Sequence, residues 1–242
     1  GICLAGKLRE GNVHSAHGAL EMLSPIVERY RKHFKQFWLR GDAAFAKPEL
    51  YAYCEAKRMT YFIRLKSNNT LKKLIEPHLE RPTGNLLKSG IQEKFIDLSY
   101  QAGSWEKPLR VVCRIAWHES ELFPQIGFVV TNSRISVEKV IKLYHRRAEI
   151  ENRIKEGKNT LRWDKTSCHR FESNEARLKM GLLAYNLLHL LRKFYIRGEG
   201  VRRSVEWMIR RMIRVGAKFS YHARRWQVQV SSAFPLRHHY LA

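Results

Sequence analysis

Acidic side chains are scarce in this 242-residue chain: 22 Asp and Glu stand against 45 Lys and Arg, a formal net charge of +23. Such an excess repels itself unless a polyanion neutralises it, so nucleic acid is the expected partner. An acidic membrane surface is the weaker alternative, because no long basic amphipathic helix stands alone at either end. Cysteine is also sparse. Cys3, Cys54, Cys113 and Cys168 lie far apart with no C-x-x-C pair, which argues against a zinc site and a disulfide framework and fits a reducing interior. Cys168-His169 lacks the second ligand pair a metal site needs. Long apolar runs are missing too. The longest uncharged stretch, Met180 to Leu191, falls short of the ~20 residues of a membrane span, and no signal peptide is recognisable. A soluble, cytoplasmic chain is expected. There is no internal repeat and no low-complexity tract, and an opening Gly1 in place of Met suggests a fragment.

What is present is ordinary globular material, 44% hydrophobic and 28% charged, in a length that suits one large domain or two small ones. "ICLAGKL" reads as a strand. Leu20, Leu23, Val27, Tyr30 and Phe34 mark an amphipathic helix in which Pro25 is either a kink or near the start. "QFWLRGD" reads as a short strand ending in Asp42, "KPELYAYCEAKR" as a helix with Pro48 in its first turn, and "TYFIRL" as another strand. This alternation predicts an α/β fold with a largely parallel sheet. Residues 93–131 turn β-rich through "KFIDLSY", "LRVVCRIAW" and "QIGFVVT", an insertion within the α/β domain. One helix is expected from Ser136 to about Leu161, a buried one over about Asn174 to Tyr195, and a basic one over roughly Arg202 to Arg214. "FSYHARRWQVQV" suggests a hairpin. The boundaries drawn are 1–92, 93–131, 132–195 and a basic extension 196–242. From Arg192 onward twelve Lys and Arg face only Glu199 and Glu206.

Within "YHRRAEIENRIKEGK", steps of 3, 7 and 14 residues from Tyr144 place Arg147, Glu151 and Lys158 within about 60° on one helix face. Val137, Val140 and Ile141 share that face, so the stripe begins apolar and becomes charged. Glu151 then needs a cation or a metal. An i,i+4 ion pair with Arg147 is the plainer reading, though Arg before Glu is the less favourable order. Asp42 supplies the contrast. It follows a strand end, where open α/β sheets bind ligands, and Gly41 permits close backbone approach. Two such carboxylates in a basic protein suit Mg²⁺-dependent phosphodiester chemistry.

The spacing Tyr144, Arg147, Glu151, Lys158 resembles the Y-R-E-K signature of bacterial insertion-sequence DDE transposases. "EGNVHSAHGA", "RGDAAFAKPELYAYCEA", "DKTSCHRFESNEARL" and "AYNLL" are similar to blocks of one subgroup, and the resemblance spans residues 4 to 195. It implies a ribonuclease-H-like mixed sheet flanked by helices, with the β-rich insertion between the second catalytic Asp and the Glu. It further implies that Asp42 and Glu151 are catalytic and bind metal, two Mg²⁺ or Mn²⁺ ions in a complete enzyme. Tyr144, Arg147 and Lys158 match positions that contact the DNA backbone. The implied partner is double-stranded DNA, as transposon ends and target, with no small-molecule substrate. A homodimer is compatible with synapsis of two ends, and a bound protein would sit at the nucleoid. Trp105 and Trp117 are either stacking platforms for an unpaired base or core residues. His189 and Asn186 read as satisfied core groups, His14 and His17 as turn residues, and Asp164 as a loop position. Arg202, Arg203, Arg210, Arg211 and Arg214 are either a solvated helix face or DNA backbone contacts, and the local charge excess favours the contacts.

One departure is plain: no Asp precedes Asp42, so the first Asp of the pattern has no counterpart here. The expectation is therefore a DDE transposase catalytic domain, truncated at its N-terminus and incomplete as given. The alternative is a catalytically dead remnant that binds DNA. A general RNA- or ribosome-associated protein is a third reading, without an RNP-type or glycine-loop motif to support it.

Overall fold

The computed structural model describes residues 1–80, 90–118, 121–195 and 203–236. The chain divides into two compact units, residues 11–150 and residues 1–10 with 151–242.

The first unit is built on a five-stranded sheet. Its strands are β1 (Trp38–Gly41), β2 (Thr60–Leu65), β3 (Ile91–Tyr100), β4 (Leu109–His118) and β5 (Gln125–Thr131), in the order β1-β2-β5-β4-β3. Only β1 and β2 pair in parallel, joined by the helix α2 (Pro48–Ala56); β2–β5, β5–β4 and β4–β3 are antiparallel. The largely parallel sheet expected from strand–helix alternation is thus a mixed one. The reason lies in the connections: β3, β4 and β5 are joined by turns too short for a crossover, and such neighbours pair antiparallel. The β-rich stretch extends the same sheet.

Both faces of this sheet are covered, as the period of two in its strands dictates. Tyr61 and Ile63 point one way with Val111, Cys113, Ile115 and Val130, and meet Val27 of α1 (Ala19–Arg31), Tyr51 and Cys54 of α2, and Leu71 and Ile75 of α3 (Asn69–Ile75). Phe62, Val112 and Val129 point the other way and meet Val140, Ile141 and Tyr144 of α4 (Val137–His145). Pro25 lies inside α1, and α3, capped by the Asn68 side chain accepting from Leu71 N–H, has no counterpart in the sequence reading. Trp105 and Trp117 are 8% and 2% exposed and belong to the first core; Trp105 packs edge-on against Tyr51 and Tyr100. Burial pushes the Cys54 and Cys113 thiols up to about 12, so neither is a nucleophile at neutral pH.

The helix expected from Ser136 to Leu161 is two helices, α4 and α5 (Ala148–Leu161). Between them Arg147 N–H bonds Tyr144 C=O, Glu149 N–H bonds Arg146 C=O and Ile150 N–H bonds Arg147 C=O. These i to i−3 bonds tighten the turn and interrupt the i to i−4 ladder. One helical wheel therefore cannot be carried from Tyr144 to Lys158.

The second unit is helical with a small hairpin. Its core joins Tyr185 and Leu188 of α6 (Phe171–Tyr195) to Val205 of α7 (Val205–Met208), with Leu161, Trp163, Cys3 and Ile209 around them. A wider π-type turn continues α7 through Ile209–Ile213. The Trp163 ring lies against Gly157 of α5 and Gly181 of α6; a Cβ at those glycines would meet it at 2.3 and 2.9 Å. α6 was expected to be buried all round, yet Met180, Leu183, Leu187 and Phe194 are exposed while Tyr185, Leu188 and His189 are covered. A long helix packed along one side leaves its opposite stripe open. The segment "ICLAGKL" is not a strand. At Cys3 a side chain takes the place of a strand neighbour: Asn186 donates to Cys3 C=O and accepts from Cys3 N–H, each at 2.8 Å. His189 accepts from Arg192 at 2.6 Å, so the core-polar reading of both residues holds. The hairpin pairs β6 (Ala217–His222) with β7 (Arg225–Val230). Among the described residues no helix is long and apolar enough to cross a membrane.

Candidate active site and nucleic-acid interface

Asp42 is the first residue past β1, at the C-terminal end of the parallel pair. Its backbone is extended and it caps the 3-10 turn Ala43–Phe45, one carboxylate oxygen accepting from Ala44 N–H at 3.0 Å. The turn folds back tightly enough that a Cβ at Gly41 would meet the Phe45 Cβ at 3.0 Å, so glycine is what the close approach requires. The carboxylate opens into a cleft of about 360 Å³ with Arg64, Lys66 and Ser67. Its second oxygen is 3.7 Å from the Arg147 guanidinium, and the Asp42 side chain remains 45% exposed. A neighbouring arginine, Arg40, donates to Leu143 C=O at 3.2 Å and so ties β1 to α4. The His145 imidazole, at the end of α4, is held below its ordinary pKa by burial and by Arg114.

The structure brings Asp42 and Arg147 together within the first unit. Tyr144 is 9% exposed, its ring in the second core against Phe62, Val112 and Val129. Glu151 and Lys158 are exposed positions of α5 in the second unit. In that unit Arg203 lies over the Trp207 ring at 4.8 Å, Arg210 pairs with Glu206 at 2.6 Å, and Arg211 and Arg214 are exposed. Arg202 falls outside the described residues. Arg64 and Lys66 escaped sequence reasoning. The available signal was a cation following an apolar run: Arg64 is the exposed residue after Tyr61, Phe62 and Ile63, all buried, at the end of the strand.

A family model described as the transposase DDE domain, group 1, matches residues 1–242. The chain belongs to that family. No curated protein matches it. The five-stranded mixed sheet flanked by helices is the arrangement a ribonuclease-H-like DDE transposase domain has.

DDE transposases use divalent metal ions, so the donor set of this transposase domain can be tested against one. Such ions take six or more oxygen ligands. Among the described residues no three His, Cys, Asp or Glu side chains cluster as a cation site. Asp42 offers one carboxylate, one oxygen of which already accepts a backbone N–H, and the charged side chains around it are Arg64, Lys66 and Arg147. These residues do not by themselves fit a two-ion centre.

Proposed function

We propose that this transposase domain handles double-stranded DNA at transposon ends and target, and that Asp42 and Glu151 are two of the three carboxylates of a DDE centre that cleaves and joins strands. The parent reaction is in-line displacement at phosphorus. Water attacks first and frees a 3′-hydroxyl, and that hydroxyl then attacks a target phosphodiester and displaces a second 3′ oxygen. Asp42 and Glu151 would be this chain's ligands to divalent ions in the complete enzyme, and such ions would supply charge neutralisation and activation of the attacking oxygen. The observation that carries the reading is the placement of Asp42 at the strand end of the parallel pair, facing a cleft lined by Arg64 and Lys66 and 3.7 Å from the Arg147 guanidinium. Arg147 offers a planar fork to a phosphate and Lys158 a point charge. The buried Tyr144 ring holds α4 to the sheet of the first unit. Arg203, Arg210 and Arg211 add backbone contacts, and a homodimer would bring two ends together. The residues 93–131 are read as the insertion of the fold, with 1–92 and 132–195 as the two parts of the catalytic domain.

With no Asp before Asp42, the chain by itself is expected to bind DNA without cutting it. The test is a plasmid-nicking assay with Mg²⁺ and with Mn²⁺, run beside duplex binding at several salt concentrations. Salt-sensitive binding with no nicking is the expected outcome. Nicking abolished by Asp42→Asn and by Glu151→Gln would instead mean that these two carboxylates suffice. Absence of duplex binding would defeat the reading altogether.

A further inference from the structure

A second concavity lies in the first unit, at the other end of β1 from Asp42. It is a groove of about 660 Å³ between β1 and α4, whose floor includes Trp38 and Phe62 and whose rim carries Arg58, Lys139, Lys142 and Arg146. The register explains the floor. Arg40 pairs with Phe62 in the parallel ladder, so Trp38, two residues before Arg40, presents its indole on the Phe62 face, with ring centroids 6.1 Å apart. Trp38 is nevertheless 52% exposed. The helix explains the rim. Lys139, Lys142 and Arg146 follow one another at spacings of three and four along α4 and just past its end, a single stripe beside the groove. All three are exposed, and among the described residues neither they nor Arg58 pairs with a carboxylate.

Arg58 reaches the rim from the end of α2. Its φ of 51° is the left-handed cap that ends that helix, where Arg58 N–H bonds Glu55 C=O and Met59 N–H bonds Cys54 C=O, and its side chain lines the groove.

Four cations without a carboxylate call for a polyanion. The aromatic floor calls for flat, apolar faces, and a groove of this volume has the size of a small-ligand site, admitting a nucleotide or two where a duplex cannot enter. Stacking platforms inside cationic grooves are how single strands are held without sequence preference. We propose that the groove between β1 and α4 binds a single-stranded DNA segment, one base stacking on Trp38 and its flanking phosphates meeting Lys139, Lys142, Arg146 and Arg58. The stripe on α4 ends next to Arg147, the partner of Asp42, so a strand in the groove leads toward the candidate active site. The proposal rests on the DNA-handling reading above and deepens it.

The test uses the whole chain and a fluorescein-labelled (dT)₁₂, with a duplex of equal length beside it, in anisotropy titrations over a range of salt. Trp38→Leu is expected to weaken (dT)₁₂ binding about tenfold, the size of losing one stacked base. It should leave duplex binding within about twofold, and Trp38→Phe should restore most of the loss. Lys139→Gln with Lys142→Gln should lower the salt slope for (dT)₁₂ by about 1.4, two single-strand phosphate contacts. Thermal melts of each variant check the fold. Duplex binding without (dT)₁₂ binding, or (dT)₁₂ binding indifferent to all these substitutions, overturns the groove and leaves the transposase reading standing. Binding to neither overturns both. If Trp38→Leu instead shifts a dimer to monomer in sedimentation with (dT)₁₂ affinity unchanged, the groove seats a second copy of the chain and the proposal falls.

Discussion

In the first unit Ile63, Val111, Ile115 and Val130 are fully buried, and helices close both faces of the sheet. In the second, a 25-residue helix covers Tyr185, Leu188 and His189 but leaves Met180, Leu183, Leu187 and Phe194 exposed. The hairpin repeats the contrast on a smaller scale. Phe219, Tyr221, Trp226 and Val228 line one face by register and all are more than half exposed. Among the described residues the sheet unit holds most of the apolar burial, and with it most of the hydrophobic stabilisation that burial supplies. The helical unit relies on a few close fits, such as Trp163 seated on Gly157 and Gly181, and on buried polar ties. In one of these Val205 N–H donates to Glu156 at 2.6 Å while Glu156 lies 3.6 Å from Arg153.

That difference can be broken by experiment. The largest effect belongs to the sheet. Ile63→Ala, in a fully buried position, is expected to cost about 2–5 kcal/mol in urea unfolding. Hydrogen exchange should show protection lost in β1, β2 and β5 while α6 keeps its own. Equal loss in α6 would show the units to be one cooperative block. Next comes the glycine seat of the second unit. Gly157→Ala forces a methyl into the Trp163 ring and is expected to cost about 1–3 kcal/mol, with a shift in tryptophan emission.

Acid should also act on the second unit. The His189 imidazole is pushed down to about 4, first by burial, then by the Gly1 amino group, and then by Arg192, Arg153 and Lys193. The unfolded chain takes up this proton near the ordinary value of 6.5, and the folded unit resists it until about 4. This histidine therefore withdraws stability as pH falls through that window and withdraws no more below it. His189→Gln should flatten the pH dependence of the α6 signal between those values, and an unchanged profile would count against the burial described. The smallest effect should come from Leu187→Ser on the open stripe, within about 0.5 kcal/mol. A clearly larger loss would mean that the stripe is covered in solution.

Asp42 was legible because its cues are local: an apolar strand, a glycine that permits the tight turn, and a carboxylate after it. The strands of 93–131 were legible for the same reason, since the nearly continuous apolar run in "LRVVCRIAW" marks a strand buried on both faces. The break at Arg146 and Arg147 was not, because no proline or glycine marks it and the periodicity on either side is good. Lys139, Lys142 and Arg146 carried no signal in the sequence reading. Only their position across from Trp38 turns them into the rim of a groove. The cations around Asp42 were hidden likewise, Arg64 and Lys66 lying on a different strand from the carboxylate they face.

By itself, then, the sequence determined the conformation of most segments, the strand-end carboxylate, the basic balance and the family to which these belong. Each is set by neighbours a few residues apart or by the composition as a whole. The tertiary structure alone decided the strand order and which neighbours pair antiparallel, that α6 is covered on one side, and which cations gather at Asp42 and along the groove. Those outcomes depend on which distant segments pair and pack, and no local period carries that information.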